Sequence, residues 1–293
     1  MRNTFGIRAV VLALAVTAMT FLAAFSSTAG TDKDKMSPQD LIAKHLESIG
    51  PVEARASATS RVFTGTVVAK FRQGGYGQTQ GKAVMASQGS KNLIAMVFGL
   101  PDYPHEKFAY DGQKVTVSSI KPGVRTLLGR FLSTNGVPFR EGLAGGTLSA
   151  AWPLLDFASK NVKVQYDGLK KVEGKQLHAL KYNAPKSSDL KVTLFFDPAT
   201  FQHVRTEYHQ VIDNPIAASK PGQSMEQQET RIDLVETFSD FRAESKLMLP
   251  HSYKLQLTIN GQSGSLLNDW MVSLTQFEIG QLINEKEFDL EAN

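Results

Sequence analysis

Two histidines, His203 and His209, bracket Arg205 and Glu207 in the stretch QHVRTEYHQ, and two-residue alternation places all four on one strand face. Residues of these types can hold a metal ion or pass a proton. An extended strand, however, separates the two imidazoles by roughly 20 Å. One ion reaches both only across a sharp bend, so the set reads as a wet polar face. Asp111, Asp167 and Asp197 fall at turn positions, where a short carboxylate serves its own backbone. There is no cysteine, which removes thiol nucleophiles, disulfides and thiolate metal sites. No G-x-S-x-G, H-E-x-x-H or Walker pattern is present. The stretch FREGLAGGTLSAAWPLLDF, 139–157, carries Gly142, Gly145 and Gly146, but no βαβ unit leads into it and no Lys-Ser or Lys-Thr follows. A phosphate loop is therefore not expected there. These residues predict a binding protein rather than an enzyme, with no cofactor and no metal.

The apolar residues are more informative. Phe63, Phe71, Met85, Met96 and Phe98 lie on strand faces that can share one interior. Methionine and phenylalanine suit a cavity that adapts to flexible acyl chains, and they equally suit an ordinary core. Leu128 and Phe131 belong to a 3.6-residue stripe that starts at Val124, while Leu148, Trp152 and Leu155 form a second stripe. Together the ten residues are the predicted apolar cavity and its cover.

The elements that position them follow from period and punctuation. Ser37-Pro38-Gln39-Asp40 is a capping box with proline at the first helical position, and Gly50-Pro51 closes that helix. From Ser60 the period changes to two. Strands follow one another, with hairpin signals at Gly74-Gly75, Asp111-Gly112, Asp167-Gly168, Gly174 and Asn260-Gly261. Segment 92–98 is apolar on both faces. The alternation breaks only between Val124 and Lys160, and 213–225 reads as a long polar loop. About 11 antiparallel strands result. A sheet of that size curls or splits, and a curled sheet with helices on its concave side is the economical solution.

The chain has 293 residues and a formal net charge of +4. Arg2 and Arg8 precede an apolar run, 9–24, and small residues end at Ala29. This predicts a secretory signal peptide over 1–29. A polar leader, 30–36, and one domain, 37–293, with a helical insertion at 124–160 complete the expected organisation. Without cysteine the mature chain is not a lipoprotein, which predicts a free monomer in the periplasm. The mild charge and the lack of a basic cluster argue against nucleic acid.

This order of elements resembles the periplasmic lipoprotein carrier (LolA-like) superfamily. Three stretches are similar to it: EKFAYDGQKVTV, 106–117; FSDFRAESKLMLPHSYKL, 238–255; and VSLTQFEIGQLINEKEFDL, 272–290, with Asn284 and Phe288. Many relatives carry a glycine in the turn before Leu-Pro, where this chain has Glu244-Ser245-Lys246. The resemblance implies an unclosed β-barrel whose mouth is covered by helices. It also implies a lid-holding arginine, which no motif places here. The function it implies is a periplasmic carrier of a lipid or of lipoprotein acyl chains, served by a membrane-bound donor or acceptor protein. A sensor or scaffold binding a protein partner on the same surface is the alternative, and a secreted hydrolase would need a titratable cluster.

Overall fold

A computed structural model describes residues 36–72, 76–157, 159, 162–183, 189–215, 227–262 and 264–291. The predicted signal peptide, nearly all of the leader, Gly74-Gly75, the end of the insertion at Lys160 and most of the 213–225 loop lie outside these residues.

Helix α1 (Pro38–Ile49) starts as the capping box dictates: Ser37 Oγ accepts from the Asp40 backbone N–H at 3.0 Å, while the Asp40 carboxylate faces back to Ser37. Its buried face is Leu41, Ile42, His45 and Ile49. A short helix, α2 (Val52–Ser57), precedes the sheet and buries none of its residues.

Among the described residues all strands belong to one 12-stranded sheet, in keeping with the approximate count read from sequence. They are β1 (Ser60–Arg72), β2 (Tyr76–Gln88), β3 (Lys91–Leu100), β4 (Tyr103–Tyr110), β5 (Val115–Val117), β6 (Lys163–Val172), β7 (Lys175–Asn183), β8 (Lys191–Phe196), β9 (His203–Pro215), β10 (Gln227–Glu244), β11 (Leu247–Gly261) and β12 (Gly264–Ile279). Their spatial order is β5-β4-β3-β2-β1-β12-β11-β10-β9-β8-β7-β6, and every pair is antiparallel. The edges β5 and β6 do not pair with each other, so the sheet stays unclosed.

The sheet must nevertheless wrap. Strands β3 and β7 stand eight places apart, roughly 38 Å if the sheet were flat. Yet the insertion touches both from residues two apart: Asn92 on β3 donates to Phe139 O at 2.9 Å, and Tyr182 on β7 donates to Glu141 at 3.2 Å. Inward side chains from strands on both halves, among them Phe63, Met96, Phe108, Leu194, Leu234 and Trp270, accordingly join one core cluster. Strand β3 is apolar on both faces for a second reason. Its outward Leu93 and Ala95 pack beneath Phe288, delivered by a 3₁₀ turn at Glu285–Phe288 that Asn284 caps.

Three local expectations need correction. The helix expected from Val124 begins later: Val124 is exposed and pairs with Lys121, and α3 runs Leu127–Thr134 behind the N-cap Thr126. Asp167-Gly168 does not turn the chain. It makes an irregularity within β6, with Gly168 at positive φ, and the hairpin falls at Glu173-Gly174. Leu148, Trp152 and Leu155 do not share a helix, because the segment folds as two 3₁₀ turns, Gly146–Leu148 and Pro153–Asp156. Pro153 lacks an N–H and prevents one continuous α-helix across Trp152.

Candidate functional site: the seat of the 124–157 insertion

The insertion lies on the concave face and fills it. Helix α3 buries Leu128, Phe131 and Leu132, and the short helix α4 (Val137–Arg140) buries Val137 and Phe139. Beyond it Leu143, Leu148, Trp152 and Leu154 are each at most 2 % exposed. The ten residues singled out from sequence meet in one cluster. Phe63, Met85, Met96, Phe98, Leu128, Phe131, Leu148 and Trp152 are buried in it, with Phe71 and Leu155 packed at its margin.

Little space remains inside. A void of about 10 Å³ lies between Phe108, Leu132, Phe139, Tyr208, Leu234 and Leu255. Ligand pockets occupy roughly 300–1,000 Å³, so this void is far too small for one while the insertion is seated.

Polar bonds tie the seated insertion at intervals along its length. Thr126, the N-cap of α3, donates to Glu106 at 2.8 Å while accepting from Gly129 N. Asn135 donates to Gln210 at 2.9 Å, and Ala150 N donates to Ser87 Oγ at 2.8 Å. Gly145 N donates to the buried Glu236 at 2.7 Å, and that carboxylate also accepts from Tyr208 and Tyr253, each at 2.8 Å. Burial raises the Glu236 pKa against the pull of these three donors, and raises both tyrosines. Glu106 is pushed up to about 7, chiefly by burial, with the Thr126 and Tyr103 hydroxyls opposing.

The glycines of the insertion are set by contact. Gly142 has φ +71, and a side chain there would run into the Ala151 carbonyl oxygen. Gly146 has φ +51, and a Cβ would lie 2.7 Å from His203 Nδ1 and 2.9 Å from Phe238. A residue with a side chain would be strained at both places.

Two histidines sit against Trp152, and one overturns the wet-face reading. His203 is fully buried, stacked on Trp152 with ring centroids 4.6 Å apart and its Nε2 2.9 Å from Thr206 Oγ1. His209 keeps a half-exposed position, as Glu207 does, with Asp233 2.6 Å away. His203 and Thr206 both point inward, so the two-residue alternation does not run unbroken between them, beside the irregular β8–β9 pairing at Phe195/Phe196. His45, from α1, is equally buried. Burial holds His203 well below its ordinary range and His45 at about 4, so both rings are neutral near pH 7. Among the described residues no group of three or more His, Cys, Asp or Glu side chains could hold a metal ion.

Sequence reasoning also missed Arg61. It is 1 % exposed and donates through Nη1 to the carbonyl oxygen of Thr147 in the insertion. Burial lowers its pKa to about 10, which leaves it a cation at neutral pH. Its inward alternation with Phe63 was a readable signal; the missing motif hid it.

Fold and site together define an unclosed antiparallel half-barrel, with an N-terminal helix and a helical insertion seated on its concave face. It agrees with the unclosed β-barrel and helix-covered mouth that the sequence resemblance implies. Among solved structures the chain is similar to a LolA superfamily protein from Nitrosomonas europaea, at 12% identity and TM-score 0.45, covering 87% of this chain and 99% of that one. It is also similar to a putative outer membrane lipoprotein-sorting protein domain from Vibrio parahaemolyticus, at 10% identity and TM-score 0.40, covering 85% and 98%. A DUF1329 family protein from Desulfovibrio piger gives 8% identity and TM-score 0.38, covering 88% and 99%. No protein-family model and no curated protein matches the chain. Identities this low carry no residue roles across.

Proposed function

We propose that this protein is a periplasmic carrier that binds a lipid, or the acyl chains of a lipoprotein, on the concave face that the insertion fills. The single observation behind this reading is that seat: a continuous apolar interior occupied by a segment tied through discrete hydrogen bonds. Energetics permit the exchange. Withdrawing Phe139, Leu143, Leu148, Trp152 and Leu154 exposes side chains worth about 1.5–3 kcal/mol each, and a buried sixteen-carbon chain returns about 0.8 kcal/mol per methylene. The two sums are of the same order, roughly 10 kcal/mol, so cargo competes on near-equal terms with the 139–154 part of the insertion. The signal peptide over 1–29 would deliver the chain to the periplasm as a monomer, with a membrane-bound donor or acceptor supplying the cargo.

The test is solvent extraction and mass spectrometry of protein purified from its native host, beside uptake of a fluorescent fatty acid. Co-purified lipid or saturable uptake supports the carrier; the absence of both contradicts it. A second reading, a sensor or scaffold binding a protein partner, moves that partner from the concave surface expected from sequence to a groove of about 350 Å³ on the sheet's outer face. Val172, Leu177 and Val204 line it, with Glu173, Arg205 and Asp240. Leu177→Glu would weaken a partner bound there and leave lipid uptake intact.

A further inference from the structure

Arg61 is buried in the wall of the apolar interior. Among the described residues no carboxylate pairs with it; its one hydrogen bond goes to Thr147 O, and Nε and Nη2 have no partner. The Thr147 hydroxyl beside it is buried and unpartnered too. Unmet polar groups at such depth are rare in folded proteins, and an unpaired buried cation is among the most costly.

The two free nitrogens are a matched pair. Nε–H and one N–H of Nη2 point the same way along one edge of the planar guanidinium, and that edge fits two oxygens of a carboxylate or phosphate. The bond to Thr147 uses the other terminal nitrogen, so the insertion is held without occupying this edge.

Its surroundings suit an amphiphile. Arg61 stands next to the first residue of β1, opposite Ser87 on β2. The inward positions that follow are Phe63, Val67, Ala69 and Phe71, with Met85 opposite Phe63. From Arg61 to Phe71 the strand extends roughly 33 Å. One cation at the strand's start thus leads into an apolar stripe.

We propose that Arg61 is the headgroup anchor of the concave site, binding the oxyanion of an acidic amphiphile, carboxylate or phosphate, through its Nε–Nη2 edge while the acyl chain lies along the Phe63–Phe71 stripe. This rests on the carrier reading and narrows it: the cargo carries an anionic group at one end. It also gives Arg61 two alternating partners, Thr147 O when the insertion is seated and the oxyanion when it is displaced.

The test measures binding of hexadecanoate, hexadecyl phosphate and hexadecan-1-ol to the intact mature protein and to Arg61→Met, whose unbranched side chain keeps much of the packing. Arg61→Lys serves as a second variant that keeps the charge and loses the paired edge. The wild type should bind at least one anionic amphiphile about tenfold or more tighter than the alcohol, as a charge-assisted bidentate pair implies. Which anion wins identifies carboxylate or phosphate. Arg61→Met should lose this preference while still binding the alcohol, and Arg61→Lys should retain only part of it. Should the wild type bind alcohol and anions alike, or Arg61→Met keep the preference, the anchor is wrong while the carrier stands. If none of the three binds the wild type, the carrier reading falls and the anchor with it. If Arg61→Met does not fold, the wild-type comparison and Arg61→Lys still decide the matter.

Discussion

The indole N–H of Trp152 donates to Nε2 of His45 across 3.1 Å, joining the insertion to helix α1 inside the protein. The bond fixes the histidine's tautomer. Nδ1 lies 3.0 Å from Phe201 O, which can only accept, so Nδ1 carries the proton and Nε2 receives the indole. Protonating His45 would set an N–H against an N–H, in line with its low pKa. Trp152→Phe removes the donor and leaves Nε2 buried and unpartnered. Urea denaturation should show a loss of about 1–3 kcal/mol plus a smaller loss from reduced packing. A variant as stable as wild type would mean that the bond contributes nothing.

The ionisation of Glu106 is linked to the seat of α3 through Thr126. Its carboxyl titrates at about 7 in the folded protein, against an ordinary 4.5. The proton is thus held more tightly folded than unfolded. The stabilisation is complete below pH 4.5 and is lost as pH rises through 7, a swing of roughly 3 kcal/mol. His45 and His203 act in the opposite sense, since lowered pKa values favour the folded state above pH 6.5. Comparing Glu106→Gln with wild type isolates the carboxyl. The variant should gain in relative stability between pH 5 and pH 8. A difference that does not change with pH would remove Glu106 from this role.

Gly142 faces the Ala151 carbonyl oxygen at positive φ. Gly142→Ala should lower stability by more than the 1–2 kcal/mol that left-handed backbone alone imposes, because the carbonyl must also move. Gly168→Ala is the control: its φ is also positive, but nothing lies within 4 Å of an added Cβ. Equal thermal shifts for the two variants would show that the close approach has no consequence.

The β10–β11 hairpin turns on Ser245 and Lys246, both at positive φ. That backbone favours Asn-Gly. Ser245→Asn with Lys246→Gly should raise stability by about 1–2 kcal/mol, seen as a higher denaturation midpoint with an unchanged slope. An unchanged or lower midpoint would mean that the side chains replaced contribute more than the strain.

Much of the fold was legible because one-face alternation and hairpin dipeptides report local geometry. Ser37-Pro38-Gln39-Asp40 and Asp111-Gly112 act where they stand in the chain. The inward faces were legible for the same reason, which is why Phe63, Met85, Met96 and Trp152 meet. His203 was misplaced because the alternation breaks between it and Thr206, and two-residue counting carries past such a break. The two 3₁₀ turns looked helical because leucine spacing imitates a stripe whether or not Pro153 permits a helix. Glu236 was invisible because its meaning lies in a partner distant in sequence, Gly145, and the inward alternation of Arg61 with Phe63 says nothing of the distant Thr147 it meets.

The carrier reading requires the insertion to leave its seat for cargo to enter. The chain lacks cysteine, so a single engineered pair gives one defined crosslink. Ser87 and Ala150 are joined by a 2.8 Å hydrogen bond between wall and insertion. In the Ser87→Cys/Ala150→Cys variant, fluorescent fatty-acid uptake should be abolished when the pair is oxidised and restored by reductant. Equal uptake in both states, with the disulfide verified by thiol titration, would contradict the account.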